Sequence, residues 1–196
     1  MATTVFSEFI QDHYEIHQWR HACAILTRDF PQEFEDLTTV LEEFRLLKSW
    51  ITTPGGRKSR IAGWLDAKLL QRGWSAKNFD TRLVVDQEEM ISPTHEIDCF
   101  KNRIALEIEW NNKDPFFDRD LNNFRLLFDL RAISVGIIVT RCDELQDLFV
   151  ELGRGPSYGA STTHMSKLLP RINGGGGAGC PLLVFGIRKN LYVEDL

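Results

Sequence analysis

Cysteine is scarce in this chain, and the four present, Cys23, Cys99, Cys142 and Cys180, stand singly with no CxxC spacing. That distribution argues against a zinc knuckle and against a disulfide framework, so reduced thiols are expected. Long apolar runs are also lacking. No stretch reaches the ~20 apolar residues of a membrane-spanning helix, and the N-terminus lacks the basic-then-apolar pattern of a secretory signal. A cytoplasmic protein with no membrane partner is the expectation. No internal repeat is found. A content of 43% hydrophobic and 26% charged residues excludes the disordered and fibrous classes. At 196 residues the chain suffices for one compact α/β domain, 1–196, with a substantial core.

An excess of positive charge is missing too. The formal net charge is −5, which on its face disfavours a nucleic-acid binder. Its distribution changes that reading. Net charge is −5 over residues 1–50, +5 over 51–82, −8 over 83–153 and +3 over 154–196. Two cationic blocks therefore flank a strongly acidic one. A protein that cleaves DNA needs cationic surface for phosphates and concentrated carboxylates for a divalent metal, and this alternation offers both.

The first fifty residues read as helical, interrupted at Phe30-Pro31, where proline starts a helix more easily than it continues one. After the turn signal Thr53-Pro54-Gly55-Gly56, Ser59 to Arg72 reads as a helix with Ile61, Trp64 or Leu65, and Leu69 inward. Phe79 to Asp86 alternates as a strand. Glu96 to Phe100 and Ile104 to Trp110 read as two strands joined by a tight turn at Lys101-Asn102-Arg103. An amphipathic helix follows over Asp118–Arg131, then a buried strand over Val135–Thr140, a helix over Asp143–Leu152 and a last buried strand over Pro181–Ile187. Between them, residues 153–180 carry Pro156, Gly159 and the run Gly174 to Gly177, and read as a long functional loop with a mobile tip. The fold class predicted is α/β, with a central mixed sheet flanked by helices.

Strand alternation sends Glu107 and Glu109 to one face, and a hairpin turning near Asn102 brings Asp98 within reach of Glu107. Three converging carboxylates repel one another by several kcal/mol in a low-dielectric setting unless a cation joins them. Oxygen-only clusters of this kind suit Mg²⁺. A solvated acidic strand face would give the same spacing, so spacing alone does not decide.

The surrounding residues add a resemblance. Asp98-x8-Glu107-Ile108-Glu109 is similar to the active-site hairpin of PD-(D/E)xK nucleases, in the variant where an acid or amide replaces the lysine. The run Glu107-Ile108-Glu109-Trp110-Asn111-Asn112-Lys113-Asp114, with Phe117-Asp118-Arg119-Asp120-Leu121, resembles type II restriction endonucleases of the BglII and BstYI kind. Gly55-Gly56-Arg57-Lys58-Ser59, Gly73-Trp74, Phe79-Asp80-Thr81 and Pro181 to Ile187 stand in the order that resemblance expects, so it covers most of the chain after about residue 20. It departs at Glu109, where closer relatives carry glutamine and the wider superfamily lysine. The resemblance implies a restriction-endonuclease-like core and Mg²⁺-dependent hydrolysis of double-stranded DNA at a GATC-centred palindrome. It further implies a homodimer, one active site per strand, and a cognate DNA methyltransferase as genetic partner. Asp98 and Glu107, with the Ile108 carbonyl, would hold the metal, and Glu109 would orient water or act as general base. An additional acid from an N-terminal helix is expected at Glu42 or Glu43.

For DNA contacts, Arg57, Lys58 and Ser59 lie at the mouth of a predicted helix, suited to phosphate. Asn111 and Lys113 follow the catalytic hairpin. Ser161, Thr162, Thr163, Lys167 and Arg171 crowd the long loop, with Arg171 fit to serve guanine bidentately. His13, His17 and His21 have helical spacing that would allow a metal stripe. The competing readings are a repair or modified-DNA nuclease of the same fold, and a non-catalytic DNA-binding protein in which Glu109 marks lost chemistry.

Overall fold

The computed structural model describes residues 5–53, 58–91 and 94–195. Along the chain the elements are α1 (Glu8–His13), β1 (Tyr14–Trp19), α2 (Ala22–Asp29), α3 (Pro31–Glu43), β2 (Leu46–Leu47), α4 (Lys48–Thr52) and α5 (Arg60–Leu70). Then come β3 (Ser75–Lys77), β4 (Arg82–Val85), β5 (Glu88–Ile91), β6 (Ile97–Lys101), β7 (Ile104–Ile108), α6 (Pro115–Asp129), β8 (Val135–Arg141), α7 (Leu145–Glu151), α8 (Met165–Asn173), β9 (Leu182–Ile187) and β10 (Tyr192–Val193). Six strands form one mixed sheet in the order β1-β9-β8-β7-β6-β3. β7, β8 and β9 run parallel, and β6 and β1 flank them antiparallel.

Strands β7, β8 and β9 are buried at every position, which is why their sequences are nearly continuous apolar runs. Each face of the sheet carries its own core. Ile104, Leu106, Ile108, Val135, Ile137 and Val139 pack with side chains of α2, α3, α5 and α7. Ala105, Ile138, Leu182 and Val184 pack with α6 and α8. Gly136 permits that second approach: a Cβ there would stand 2.6 Å from the Phe124 ring. Ser59 starts α5, its Oγ accepting from Ala62 N at 3.0 Å, as N-cap serines do. The β6–β7 turn places Asn102 and Arg103 at φ 43° and 71°, the two left-handed residues of a tight hairpin turn.

Three expectations are corrected. Tyr14–Trp19 is a strand rather than helix, paired residue by residue with β9 from Tyr14↔Ile187 to Trp19↔Leu182. His13, His17 and His21 therefore form no helical stripe: one ends α1, one lies on β1, and His21 takes a left-handed conformation ahead of α2. The strand expected over 79–86 is present as Arg82–Val85, which pairs with β5 in a separate two-stranded hairpin. The segment 153–180, read as loop, contains a 3-10 turn at Gly155–Tyr158 and the helix α8. Among the described residues no helix is long and apolar enough to cross a membrane.

Candidate active site

The register Cys99↔Leu106 sets Asp98 opposite Glu107, at the open end of the β6–β7 hairpin. Asp98 Oδ2 accepts from the Ile108 N–H at 2.9 Å, and Glu107 Oε2 lies 3.4 Å from the Asp98 N–H. A cavity of about 360 Å³ opens here, with Lys58, Ser59, Asp98, Ile108 and Asn112 in its walls. Lys58 is paired with Asp66 of α5, so cationic charge and a helix start border the same space as Asp98.

Glu107 and Glu109 point to the α6 side, where each is 1% exposed and meets the fully buried Asp120. His95 joins them. Its Nε2 lies 3.0 Å from Glu107 Oε1 and 3.2 Å from Asp120 Oδ1. Arg119 closes the group, Nη2 standing 2.9 Å from Asp120 Oδ1 and 3.5 Å from Glu109 Oε1. Positive charge thus stands beside Glu109. Asn112 Nδ2 donates to Glu109 Oε2 at 2.8 Å, and since Asn112 also borders the Asp98 cavity, it links the two halves of the site.

The titration behaviour follows from three carboxylates sharing one imidazole and one guanidinium. Burial, with the charges of Asp120 and Asp98, pushes Glu107 up to about 8 against the opposing pull of the His95 hydrogen bond. Burial and Asp120 raise Glu109 to about 9. Burial alone would lower His95, but its bonds to Asp120 and Glu107 outweigh that and raise it to about 9. The group is therefore short of positive charge. Asp120 Oδ2 is buried without a hydrogen-bond partner, and one ligand atom from each of His95, Glu107 and Asp120 lies within 4.8 Å of the others, the one such trio among the described residues. An unpartnered carboxylate oxygen and excess negative charge fit a divalent cation.

Sequence reading missed His95 and Asp120. Asp120 sits in Phe117-Asp118-Arg119-Asp120-Leu121, a run already similar to restriction endonucleases, while nothing local marks His95. The additional helix acid expected at Glu42 or Glu43 is not brought here: Glu42 accepts from Ser7 Oγ at 2.5 Å, and Glu43 pairs with Lys68 and Arg72 at 2.7 and 3.1 Å. The helix-borne acid at the hairpin is Asp120.

The expected DNA contacts divide. Arg57 lies outside the described residues. Lys58 and Ser59 border the Asp98 cavity. Asn111 adopts a left-handed φ of 61°, and the main chain of Lys113 bridges Thr162. Thr162 and Thr163 are buried: the Thr162 hydroxyl accepts from Arg141, and the Thr163 hydroxyl donates to the Glu109 carbonyl at 3.2 Å. These two support the site from within instead of offering hydroxyls to a base. The Ser161 carbonyl takes the Asp114 N–H. Lys167 and Arg171 belong to α8, where Arg171 pairs with Asp118 at 2.8 Å and both approach Asp114, at 3.9 and 3.7 Å.

No curated protein matches the chain. A family model described as restriction endonuclease BglII/BglIII matches residues 14–187, from the first residue of β1 to the last of β9. That span carries the whole six-stranded sheet, the β6–β7 hairpin and the helix bearing Asp120. The chain belongs to the BglII/BglIII restriction endonuclease family, a family of DNA-binding hydrolases.

Proposed function

We propose that the chain is a type II, site-specific deoxyribonuclease that hydrolyses both strands of a palindromic DNA duplex with Mg²⁺ as cofactor. The observation that carries this reading is the hairpin end, where Asp98 and Glu107 stand opposite one another beside the Lys58–Ser59 cavity, with Asp120 and His95 behind Glu107. Asp98, Glu107 and the main chain at Ile108 would hold an oxygen-loving cation, and His95 and Asp120 would complete its surroundings or take a second ion. When bound, the cation neutralises charge on the phosphoryl group and acidifies water.

The chain's own residues supply position and proton handling. Glu109 is fixed by its N–H on Val139 O at 2.9 Å and by the Thr140 and Thr163 hydroxyls on its carbonyl. Burial holds its carboxyl up at about 9, so it carries a proton at neutral pH; the charge of a bound cation would bring it down to where it could accept a proton from water, and Asn112 relays its orientation to the cavity. Lys58, Arg57 and the Ser59 end of α5 would hold backbone phosphate. Asn111, Lys113, Ser161, Lys167 and Arg171 would face the bases or their flanking phosphates. A GATC-centred site, a homodimer with one active site per strand, a cytoplasmic location and a protecting methyltransferase complete the reading.

The test is incubation of purified protein with plasmid DNA, with and without Mg²⁺, followed by sequencing of the product ends. Discrete Mg²⁺-dependent fragments sharing one short palindrome are expected, with 5′-phosphate and 3′-hydroxyl ends. Diffuse degradation would replace site-specific restriction with repair-type cleavage, and retarded but uncut DNA under every divalent metal would replace it with binding alone.

A further inference from the structure

Arg141, the last residue of β8, is 1% exposed. Among the described residues it has no ion-pair partner. Its Nη2 donates to the Tyr158 carbonyl at 3.2 Å and to Thr162 Oγ1 at 2.9 Å, and its guanidinium lies 5.3 Å from the Phe149 ring centre. Its Nε is buried with no partner at all. Burying a guanidinium with no carboxylate in salt-bridge reach is costly, and neutral acceptors, a ring face and the more distant charge of Asp143 compensate only in part.

The same residue borders an open cavity of about 400 Å³, walled also by Asp143, Gln146, Ala160 and His164. The carboxylate there is already engaged. Asp143 Oδ1 lies 2.7 Å from His164 Nδ1 and accepts the Ser166 hydroxyl at 2.6 Å, while Oδ2 accepts the Ser166 N–H at 3.0 Å. With Asp143 tied to His164 and Ser166, the groups left for an incoming ligand are the Arg141 guanidinium and the Gln146 amide. Packing links Arg141 to the candidate active site. Trp110, in the wall of the Asp98 cavity, packs edge-on against the same Phe149 at 6.1 Å, and Val139, two residues before Arg141, holds the Glu109 N–H.

We propose that this cavity is a second phosphate site, in which Arg141 receives a backbone phosphate of the bound duplex other than the one cleaved. The inference rests on the nuclease reading, because it takes DNA as the source of the phosphate. An oxyanion is the ligand that would satisfy a buried guanidinium best. Occupation would also report DNA binding to the segment that Arg141 holds through Tyr158 and Thr162, which in turn carries Thr163 onto Glu109.

The test uses the full chain with Ca²⁺ in place of Mg²⁺ and duplexes bearing one neutral methylphosphonate at each backbone position in turn. Two variants are compared with the parent: Arg141→Gln, and Gln146→Glu, which puts a carboxylate into the cavity without removing the contacts of Arg141. The parent is expected to lose about tenfold in affinity at one phosphate away from the cleaved bond. Both variants are expected to bind more weakly, to lose the response to that one substitution, and to lower the slope of log K against log salt by about one. A variant that merely loosened its loop would weaken binding while keeping the parent's response at that position. That result, or unchanged profiles and slopes in the well-folded Gln146→Glu, overturns the proposal while plasmid cleavage leaves the nuclease reading intact. Inorganic phosphate that raises the melting temperature of the parent but not of Gln146→Glu, with duplex profiles unchanged, would mark a free-phosphate site and also overturn it. A protein that binds no duplex overturns both.

Discussion

Glu107 is 1% exposed and faces Asp120 and His95, with Asp98 close by. Glutamine at this position keeps the side chain's shape and an acceptor for His95 but removes the ionisation. The sign follows from linkage. Glu107 has a folded-state pKa raised from 4.5 to about 8, so its contribution is fully favourable below pH 4.5 and is lost as pH rises towards 8. At ~1.4 kcal/mol per pKa unit, ionising this group alone costs at most about 4–5 kcal/mol of stability near pH 8. Because His95 shares its proton, we expect about 1–3 kcal/mol. Glu107→Gln should therefore melt roughly 3–10 °C above the parent at pH 8 in EDTA, with the gap closing towards pH 5. The same variant should not cleave plasmid DNA. Mg²⁺ should raise the melting temperature of the parent at pH 8 and leave that of the variant nearly unmoved. Circular-dichroism melts at pH 5, 6, 7 and 8, with EDTA and with Mg²⁺, are the assay. A variant that melts below the parent at pH 8 in EDTA, or runs parallel to it across the pH range, would refute the crowded-carboxylate account.

Other outcomes follow from the same geometry. Asp98→Asn should keep the fold and most DNA affinity, since the amide oxygen can still accept from Ile108 N, yet lose cleavage; cutting by the purified variant would remove Asp98 from the active site. Arg171→Ala breaks half-exposed pairs with Asp118 and Asp114, so a stability change within about 1 kcal/mol is expected, together with weaker or relaxed sequence-specific binding in gel shifts. Gly136→Ala should destabilise by about 1–3 kcal/mol in denaturant titration, because the new methyl would meet Phe124 and Leu182 at 2.6 to 2.9 Å. An unchanged midpoint there would mean that α6 moves off the sheet freely, and the position of Asp120 could not then be rigid.

Much of the β6–β7 hairpin was legible because it is local. Alternation over Ile104–Ile108, a tight turn at Asn102-Arg103 and the Asp98-to-Glu107 spacing all act within a dozen residues, and the buried strands β8 and β9 announce themselves as apolar runs. Ser59 capping α5 is equally local. Tyr14–Trp19 is a strand for a reason no window of sequence contains: its partner β9 lies more than 160 residues away and supplies the ladder hydrogen bonds. Six residues between two helices carry too little periodicity to outweigh that. The helix α8 was hidden by the glycines around it and by Pro170, and is held by burial of Met165, Leu168 and Ile172 against the sheet. The site divides in the same way. Sequence by itself determined the α/β class, the hairpin and its three acids, and the resemblance that the family match bears out. Only the tertiary structure decided that His95 and Asp120 join Glu107, that Glu42 and Glu43 do not, and that Thr163 supports Glu109. Convergence of side chains is set by how α6 packs across β7 and β8, and that packing is a sum of contacts between segments far apart in the chain.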